Sequence, residues 1–348
     1  MKKDIDITKR YIQELCRQEE LYQPGSFWKN AILDIGEVFI KNGIASFRKE
    51  DTNLNFFVPT YGSPGNGFTL TETEKLEKTL TSLSSKKQKA QIKHFFDGKA
   101  HAMADYRTFV SSLRENKKID LVQFSESSIG NPIEHFLFDG RLYSRSALNY
   151  LLGLSFLRKV DPDFFPKVIL EIGGGFGTLG EIVGKTFKYE CKYIDVDLPP
   201  LFLIAETYIK KAFNDNTTCY NRPIYQTESI AIKELPLFTF LPNWQLSKLR
   251  GKIDLFVNFI SFQEMEPDIV KNYAQLISKL NPKYILLRNL REGKQREKKG
   301  VLGVKNPILK KDYLNVFDGY QLLETNVVPF GFQTVDGFNS ELMVLKRN

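Results

Sequence analysis

Two periodicities divide the chain. Over its first part apolar side chains recur at helical intervals, as at Ile12, Leu15 and Cys16 and again at Ile35, Val38 and Phe39, so the spacing predicts helices from Ile5 to about Phe47. Asn53 to Phe68 is rich in Pro, Gly and Asn and reads as a loop. Thr71-Glu-Thr-Glu74 offers an N-cap with a carboxylate three residues on, opening a helix through about Leu83. Further helices are expected over about 85–112 and 144–159, which makes residues 1–160 a mainly helical N-terminal region.

Beyond Pro166 the rhythm becomes strand, helix, strand, helix: Val168–Ile172, Leu179–Phe187, Tyr193–Val196 and Pro200–Phe213. Thr239–Leu241 is a weaker third strand, Ile253–Ile260 a fourth, and a helix around Asp268–Leu280 leads to Tyr284–Leu287 as the fifth. Such alternation predicts an α/β fold, a parallel sheet with helices on both faces, over residues 161–348. The end departs from it, with a helix near Lys311–Phe317 and two strands, about Tyr320–Val328 and Glu341–Leu345, joined by a Gly-rich turn. Two closing strands with no helix between them must pair antiparallel.

The chemistry concentrates where the first strand breaks into glycines, at Glu171-Ile-Gly-Gly-Gly-Phe-Gly177. Gly173, Gly174, Gly175 and Gly177 let the main chain turn tightly and bring its N–H groups against a ligand with no Cβ between. Asp195 and Asp197 close the next strand, where an acidic residue meets a ribose diol in doubly wound folds, and Leu198 follows them. Gly175-Phe-Gly-Thr-Leu-Gly180 also satisfies the dinucleotide pattern G-x-G-x-x-G. Glu171 tilts the reading away from a dinucleotide, because a carboxylate just before the first glycine suits a cationic amine. No arginine stands near Asp197 for a 2′-phosphate, and the pattern starts too late to leave a separate substrate domain downstream. S-adenosylmethionine, whose amino-acid end carries an ammonium, is the cofactor these residues favour.

Glu171–Gly180, Tyr193-Ile-Asp-Val-Asp-Leu-Pro199 and Asn258-Phe-Ile-Ser-Phe-Gln-Glu-Met265 resemble the motifs of the sugar O-methyltransferases, a branch of the class I S-adenosylmethionine-dependent methyltransferases found with bacterial polysaccharide genes. Ser125-Glu-Ser-Ser-Ile-Gly-Asn-Pro132 and Tyr143-Ser-Arg-Ser-Ala-Leu-Asn-Tyr150 extend the likeness, which spans roughly 120–345. The resemblance implies a Rossmann-like class I methyltransferase sheet, mostly parallel with an antiparallel last strand, and methyl transfer to a sugar hydroxyl in surface polysaccharide or nucleotide-sugar biosynthesis. Its acceptor would be a sugar, a nucleotide sugar or a lipid-linked glycan.

Asn258, Ser261, Gln263 and Glu264 follow the fourth strand, at the carboxyl edge where ligands bind in open α/β sheets. Asn258 and Ser261 are expected at the cofactor, Gln263 at the acceptor. Upstream, Asn131, Tyr143 and Arg145 are candidate acceptor contacts. A hydroxyl must shed its proton as it is methylated, so a base within hydrogen-bond reach is expected, with His135 and Glu264 as candidates and Glu126 behind them. His94 and His101 stand seven residues apart, two turns of one helix, and read as structural. Trp28 and Trp244 read as core or as packing beside an adenine, and no Asp/His cluster suggests a metal site.

Composition adds limits. At 348 residues the chain can fold without staples, and its 42% apolar and 26% charged residues are ordinary for a globular protein. Three widely spaced cysteines suit neither a disulfide framework nor zinc, which points to a reducing cytoplasm. No apolar stretch approaches the roughly 20 residues of a membrane helix. The net charge of +8 sits largely in Lys86–Lys89 and Arg291–Gly300, runs without the interleaved aromatics of a nucleic-acid face, so no stable nucleic-acid partner is expected. The N-terminal region could also form a dimer surface. Methylation of RNA or another small molecule, and a non-catalytic nucleotide-binding protein, stand as alternatives.

Overall fold

Strands buried on both faces must be apolar nearly throughout, and the central sheet is built from such runs. In a computed structural model that describes residues 2–57, 70–96, 98–113, 118–213, 219–220, 228–298, 303–334 and 337–348, two short strands, β1 (Phe136–Phe138) and β2 (Arg141–Tyr143), form a hairpin. The others are β3 (Val168–Ile172), β4 (Lys192–Asp197), β5 (Cys219–Tyr220), β6 (Ile230–Ala231), β7 (Phe238–Pro242), β8 (Leu249–Arg250), β9 (Leu255–Phe259), β10 (Tyr284–Leu290), β11 (Tyr320–Asn326), β12 (Phe332–Gln333) and β13 (Asn339–Arg347). The main sheet runs β11-β13-β10-β9-β3-β4-β7-β5, with β12 on β13 and β6 paired separately with β8.

From β10 across to β5 every pairing is parallel, whereas β13 lies antiparallel between β10 and β11. This is a Rossmann-like, doubly wound order, mostly parallel as expected, and the antiparallel ending follows from the missing helix between β11 and β13. The chain winds from β3 through β4 to β7 in one direction and from β9 to β10 in the other. The topological switch point therefore lies between β3 and β9, where open α/β sheets bind ligands.

The helices are α1 (Lys2–Leu15), α2 (Ser26–Asn42), α3 (Asp51–Phe57), α4 (Leu70–Ser82), α5 (Lys86–Phe96), α6 (Lys99–Ser112), α7 (Arg145–Val160), α8 (Thr178–Thr186), α9 (Leu201–Ala212), α10 (Pro267–Lys279) and α11 (Lys310–Val316). Successive side chains of a strand face opposite ways. Ile169 and Tyr193 accordingly join one apolar cluster with α7, α8 and α9, while Leu170, Ile172, Ile194 and Val196 join a second with α10 and α11. Tyr11, Ile35, Phe39 and Phe47 of the N-terminal region belong to the first cluster, so that region shares the core of the sheet. Ser144 caps α7 by accepting the Ala147 N–H at 3.0 Å, and α7 is buried along most of its length.

Local differences from the sequence reading have local causes. The segment read as a loop from Asn53 begins inside α3, where Leu54 is buried and the Asn53 side chain donates to the Phe47 carbonyl; residues 58–69 lie outside the described residues. The next helix starts at Leu70, so Thr71 sits within its first turn instead of capping it. The helix expected over 85–112 is broken at Gly98, whose φ of 70° is left-handed. The β1–β2 hairpin was not anticipated; Asp139 and Gly140 turn it with φ of 46° and 76°, as a type I′ turn needs.

Candidate active site

β3 ends at Ile172, and the chain turns through Gly173 with a φ of 79°. A Cβ there would collide with Ser261, and one on Gly174 would lie 2.6 Å from Asp195 Oδ1. Two acids hold this turn: Gly174 N–H donates to Asp195 Oδ1 at 3.2 Å and Gly175 N–H to Asp197 Oδ2 at 3.1 Å. Asp197 Oδ1 also accepts the Leu198 N–H at 2.7 Å. Gly177, with a φ of 98°, starts α8.

The turn forms one wall of a cavity of about 210 Å³ at the switch point. Gly173, Gly174, Gly175, Asp197, Leu198, Ser261, Gln263 and Glu264 line it, together with Asn149 and Tyr150 of α7 and Asn243 beyond β7. The N-terminal region closes the other side with Gln23–Gly25, Trp28, Phe56 and Phe57, so residues far apart in sequence meet over the carboxyl ends of the strands. Tyr150 stacks on Phe259 with ring centres 4.8 Å apart and planes 3° from parallel. Gly177, Asp195 and Asn258 stand behind this wall. Asn258 is fully buried and acts as scaffold, donating to the Ile172 carbonyl at 3.0 Å and to Ser261 Oγ at 2.6 Å.

Glu171 stands just behind the cavity wall. Its oxygens accept the hydroxyl protons of Tyr150, at 2.6 Å, and Tyr193, and it is fully buried off the cavity wall. It therefore orients Tyr150, a residue of the wall. Burial without a compensating cation pushes Glu171 and Asp197 each up to about 7, and Asp195, crowded by both, well above the usual carboxylate range.

Of the three candidate bases only Glu264 reaches the cavity. Its Oε1 meets Lys294 Nζ at 2.5 Å and its Oε2 accepts the Trp28 indole N–H at 2.9 Å. Glu126 and His135 are elsewhere, because the loop that carries them wraps Arg48. Arg48 pairs with Glu126 at 2.8 Å and Glu134 at 2.7 Å, and His135 Nε2 lies 3.3 Å from Glu126. The Arg48 guanidinium stacks 4.6 Å from the centre of Phe176, whose ring lines the cavity, so this cluster sits behind that ring. Burial opposes ionisation of Glu126, but Arg48, His135 and the Ser144 N–H outweigh it and hold its carboxyl down to about 2.

The three upstream acceptor candidates are also displaced. Tyr143 is buried against Tyr106 and Phe138, Arg145 pairs with Asp105 at 2.9 Å, and Asn131 is an exposed turn residue with a φ of 55°. None lines the cavity. His101 is exposed on α6, Trp244 is core, and the side chain of His94 lies outside the described residues. Among the described residues no group of three or more metal-ligating side chains assembles, and no helix is long and apolar enough to cross a membrane.

The sequence reading missed Lys294, hidden in the charged run Arg291–Gly300, and gave no role to the amides of Asn149 and Asn243. Asn243 had a signal, since Phe240-Leu-Pro-Asn-Trp244 follows a strand end.

No family model and no curated protein matches the chain. Solved structures similar to it include a magnesium protoporphyrin IX methyltransferase from Synechocystis with bound S-adenosylmethionine, at 11% identity and a TM-score of 0.38, the match covering 59% of this chain and 81% of that one. An S-adenosylmethionine-dependent methyltransferase from Clostridium acetobutylicum matches at 12% identity and a TM-score of 0.38, over 57% of this chain and 90% of that one. TrmN from Thermus thermophilus matches at 14% identity and a TM-score of 0.39, over 60% of this chain and 54% of that one.

Proposed function

We propose that the protein is an S-adenosylmethionine-dependent O-methyltransferase whose acceptor is a sugar hydroxyl, free, nucleotide-linked or lipid-linked, in the making of a surface polysaccharide. The observation that carries the reading is the glycine turn and Asp197 sharing one cavity at the switch point of this sheet. Asp197 is placed to accept ribose hydroxyls beside Leu198. Two buried amides on the wall support it further: among the described residues Asn243 Oδ1 meets no donor and Asn149 Nδ2 no acceptor. α7, which carries Asn149, packs on β10 and β13, and Asn243 follows β7, so strands β9, β3 and β4 lie between them. An adenine amino group at one end of a ligand and a carboxylate at the other are the complements of that pair.

When bound, the cofactor supplies a methyl group already activated on a sulfonium. The chain has to align the hydroxyl with it and keep water out, tasks suited to the aromatic wall of Trp28, Phe57, Tyr150 and Phe259. Ring faces of this kind also suit the C–H surface of a sugar. Glu264 is the group placed to take the hydroxyl proton. In this reading residues 1–160 supply the cover of the site and residues 161–348 the cofactor half.

Calorimetry with S-adenosylhomocysteine tests it. Binding to the wild type is expected, with loss in Asp197→Ala and Gly175→Val while circular dichroism shows the fold retained. A wild type that does not bind, or variants that bind unchanged, would overturn the reading.

A further inference from the structure

Three distant segments converge on one carboxylate. Trp28 comes from α2, Glu264 from the turn after β9, and Lys294 from the loop after β10. Lys294 Nζ stands 2.5 Å from Glu264 Oε1, and the side chains are 16% and 10% exposed, so the pair is sheltered yet forms part of the cavity wall. The charges cancel within the pair, which allows a cationic cofactor nearby without repulsion from the lysine. Trp28 Nε1 can only donate, and by holding Oε2 it fixes the plane of the carboxylate.

Resting on the reading above, we propose that Lys294 and Glu264 together form a clamp for a neutral hydroxyl, with Lys294 as a catalytic residue and Trp28 as a positioning residue. A hydroxyl has one proton to give and two lone pairs. Glu264 takes the proton's hydrogen bond, the Lys294 ammonium donates to one lone pair, and the other lone pair is left to face the methyl carbon. In the reaction the O–H proton passes to the Glu264 carboxylate as the oxygen–carbon bond forms. The carbon–sulfur bond breaks with its electron pair going to sulfur, which leaves as a neutral thioether, and Glu264 returns the proton to solvent. The ammonium stabilises the oxygen while it carries alkoxide character.

The clamp also selects. A neutral amine has a single lone pair, which the methyl carbon must take, so it leaves the Lys294 ammonium without an acceptor, and a carboxylate has no proton to give Glu264, whereas an un-ionised alcohol satisfies both partners. The site therefore belongs to alcohols in preference to amines or acids.

The test measures S-adenosylhomocysteine formed from S-adenosylmethionine with glycerol or methyl α-D-glucopyranoside at molar concentration as hydroxyl probes and methylamine as the amine counterpart. The wild type should methylate a hydroxyl probe above the solution rate and leave methylamine untouched. Lys294→Met and Glu264→Gln should each lower kcat by about a hundredfold with S-adenosylhomocysteine affinity unchanged. Lys294→Arg should recover part of that loss, and Trp28→Phe should lower kcat without raising KM. Variants within about threefold of the wild type, or a wild type that binds S-adenosylhomocysteine yet methylates neither hydroxyl probe, would overturn the clamp alone. A wild type that does not bind S-adenosylhomocysteine would overturn the cofactor reading and the clamp with it.

Discussion

Two clusters of buried carboxylates stand close to the glycine turn, and their partners differ. Behind Phe176, Glu126 and Glu134 enclose the fully buried Arg48, and Glu126 stays ionised far below the usual range. At the glycine turn, Glu171, Asp195 and Asp197 are bonded by tyrosine hydroxyls and backbone N–H groups, and burial drives all three upward. Off the cavity wall, unlike Glu264 with Lys294, Glu126 and Glu134 have their charge answered by the fold's own cation and belong to the architecture. A set without one carries a cost that a ligand can offset, which marks the second cluster as the place where something binds.

The contrast breaks most visibly at Arg48. Arg48→Met would leave Glu126 and Glu134 buried without a cation, and a loss of about 3–5 kcal/mol is expected in chemical denaturation. A loss below about 1 kcal/mol would remove the claim that this cluster is structural. Because the Glu126 carboxyl is held below its ordinary 4.5, its contribution is fully present above that pH and disappears as pH falls toward 2.

The glycine-turn cluster should show the opposite sense. A ribose diol donating to Asp197 needs the ionised carboxylate, and that carboxyl titrates near 7 in the empty protein. S-adenosylhomocysteine affinity should therefore weaken as pH falls from 8 to 6, by up to about tenfold for each pH unit below the pKa. Asp197→Asn should flatten this slope, and a wild-type affinity independent of pH would count against the assigned ribose contact. Asp195→Asn should have a smaller effect on stability, a gain of about 1 kcal/mol at pH 8, since it removes a buried carboxyl whose ionisation the fold opposes. Its folded pKa lies above the unfolded one, so the carboxyl favours the native state below pH 3.8 and ceases to do so as pH rises. The gain in the variant should fade in acid; a loss as large as that of Arg48→Met would equate the two clusters.

The cofactor half of this picture was legible because local rules wrote it. Val168–Ile172 must be an apolar strand, the glycines must turn, and Asp197 must follow two residues after Asp195 on the same face. The acceptor half was not, because its residues come together only through tertiary packing. Nothing in the spacing of Trp28, Glu264 and Lys294 tells that they touch, and a lysine in Arg291-Glu-Gly-Lys-Gln-Arg resembles any solvated charge. Glu171 shows the same limit. Its position before the glycines was read correctly, but its tyrosine partners lie 21 and 22 residues away and leave no trace in the motif. The candidates taken from the Ser125–Tyr150 stretch failed in the same way, since its polar groups serve Arg48 and the capping of α7.

His135 gives the smallest expected effect and the sharpest check on the division between the clusters. It was a reasonable base from sequence, being one of three histidines and set among polar residues. In the structure its Nε2 stands 3.3 Å from a carboxylate that Arg48 already compensates, and the Phe176 ring lies between that cluster and the cavity. Removing the imidazole therefore takes away a secondary partner of Glu126 and no group that could touch an acceptor. His135→Gln should change stability by no more than about 0.5 kcal/mol. Its kcat with the hydroxyl probes should stay within about twofold of the wild type. If instead kcat fell by more than about tenfold with S-adenosylhomocysteine affinity intact, proton transfer would run through the Arg48 cluster. The Arg48 cluster would then belong to the chemistry along with Glu264 and Lys294.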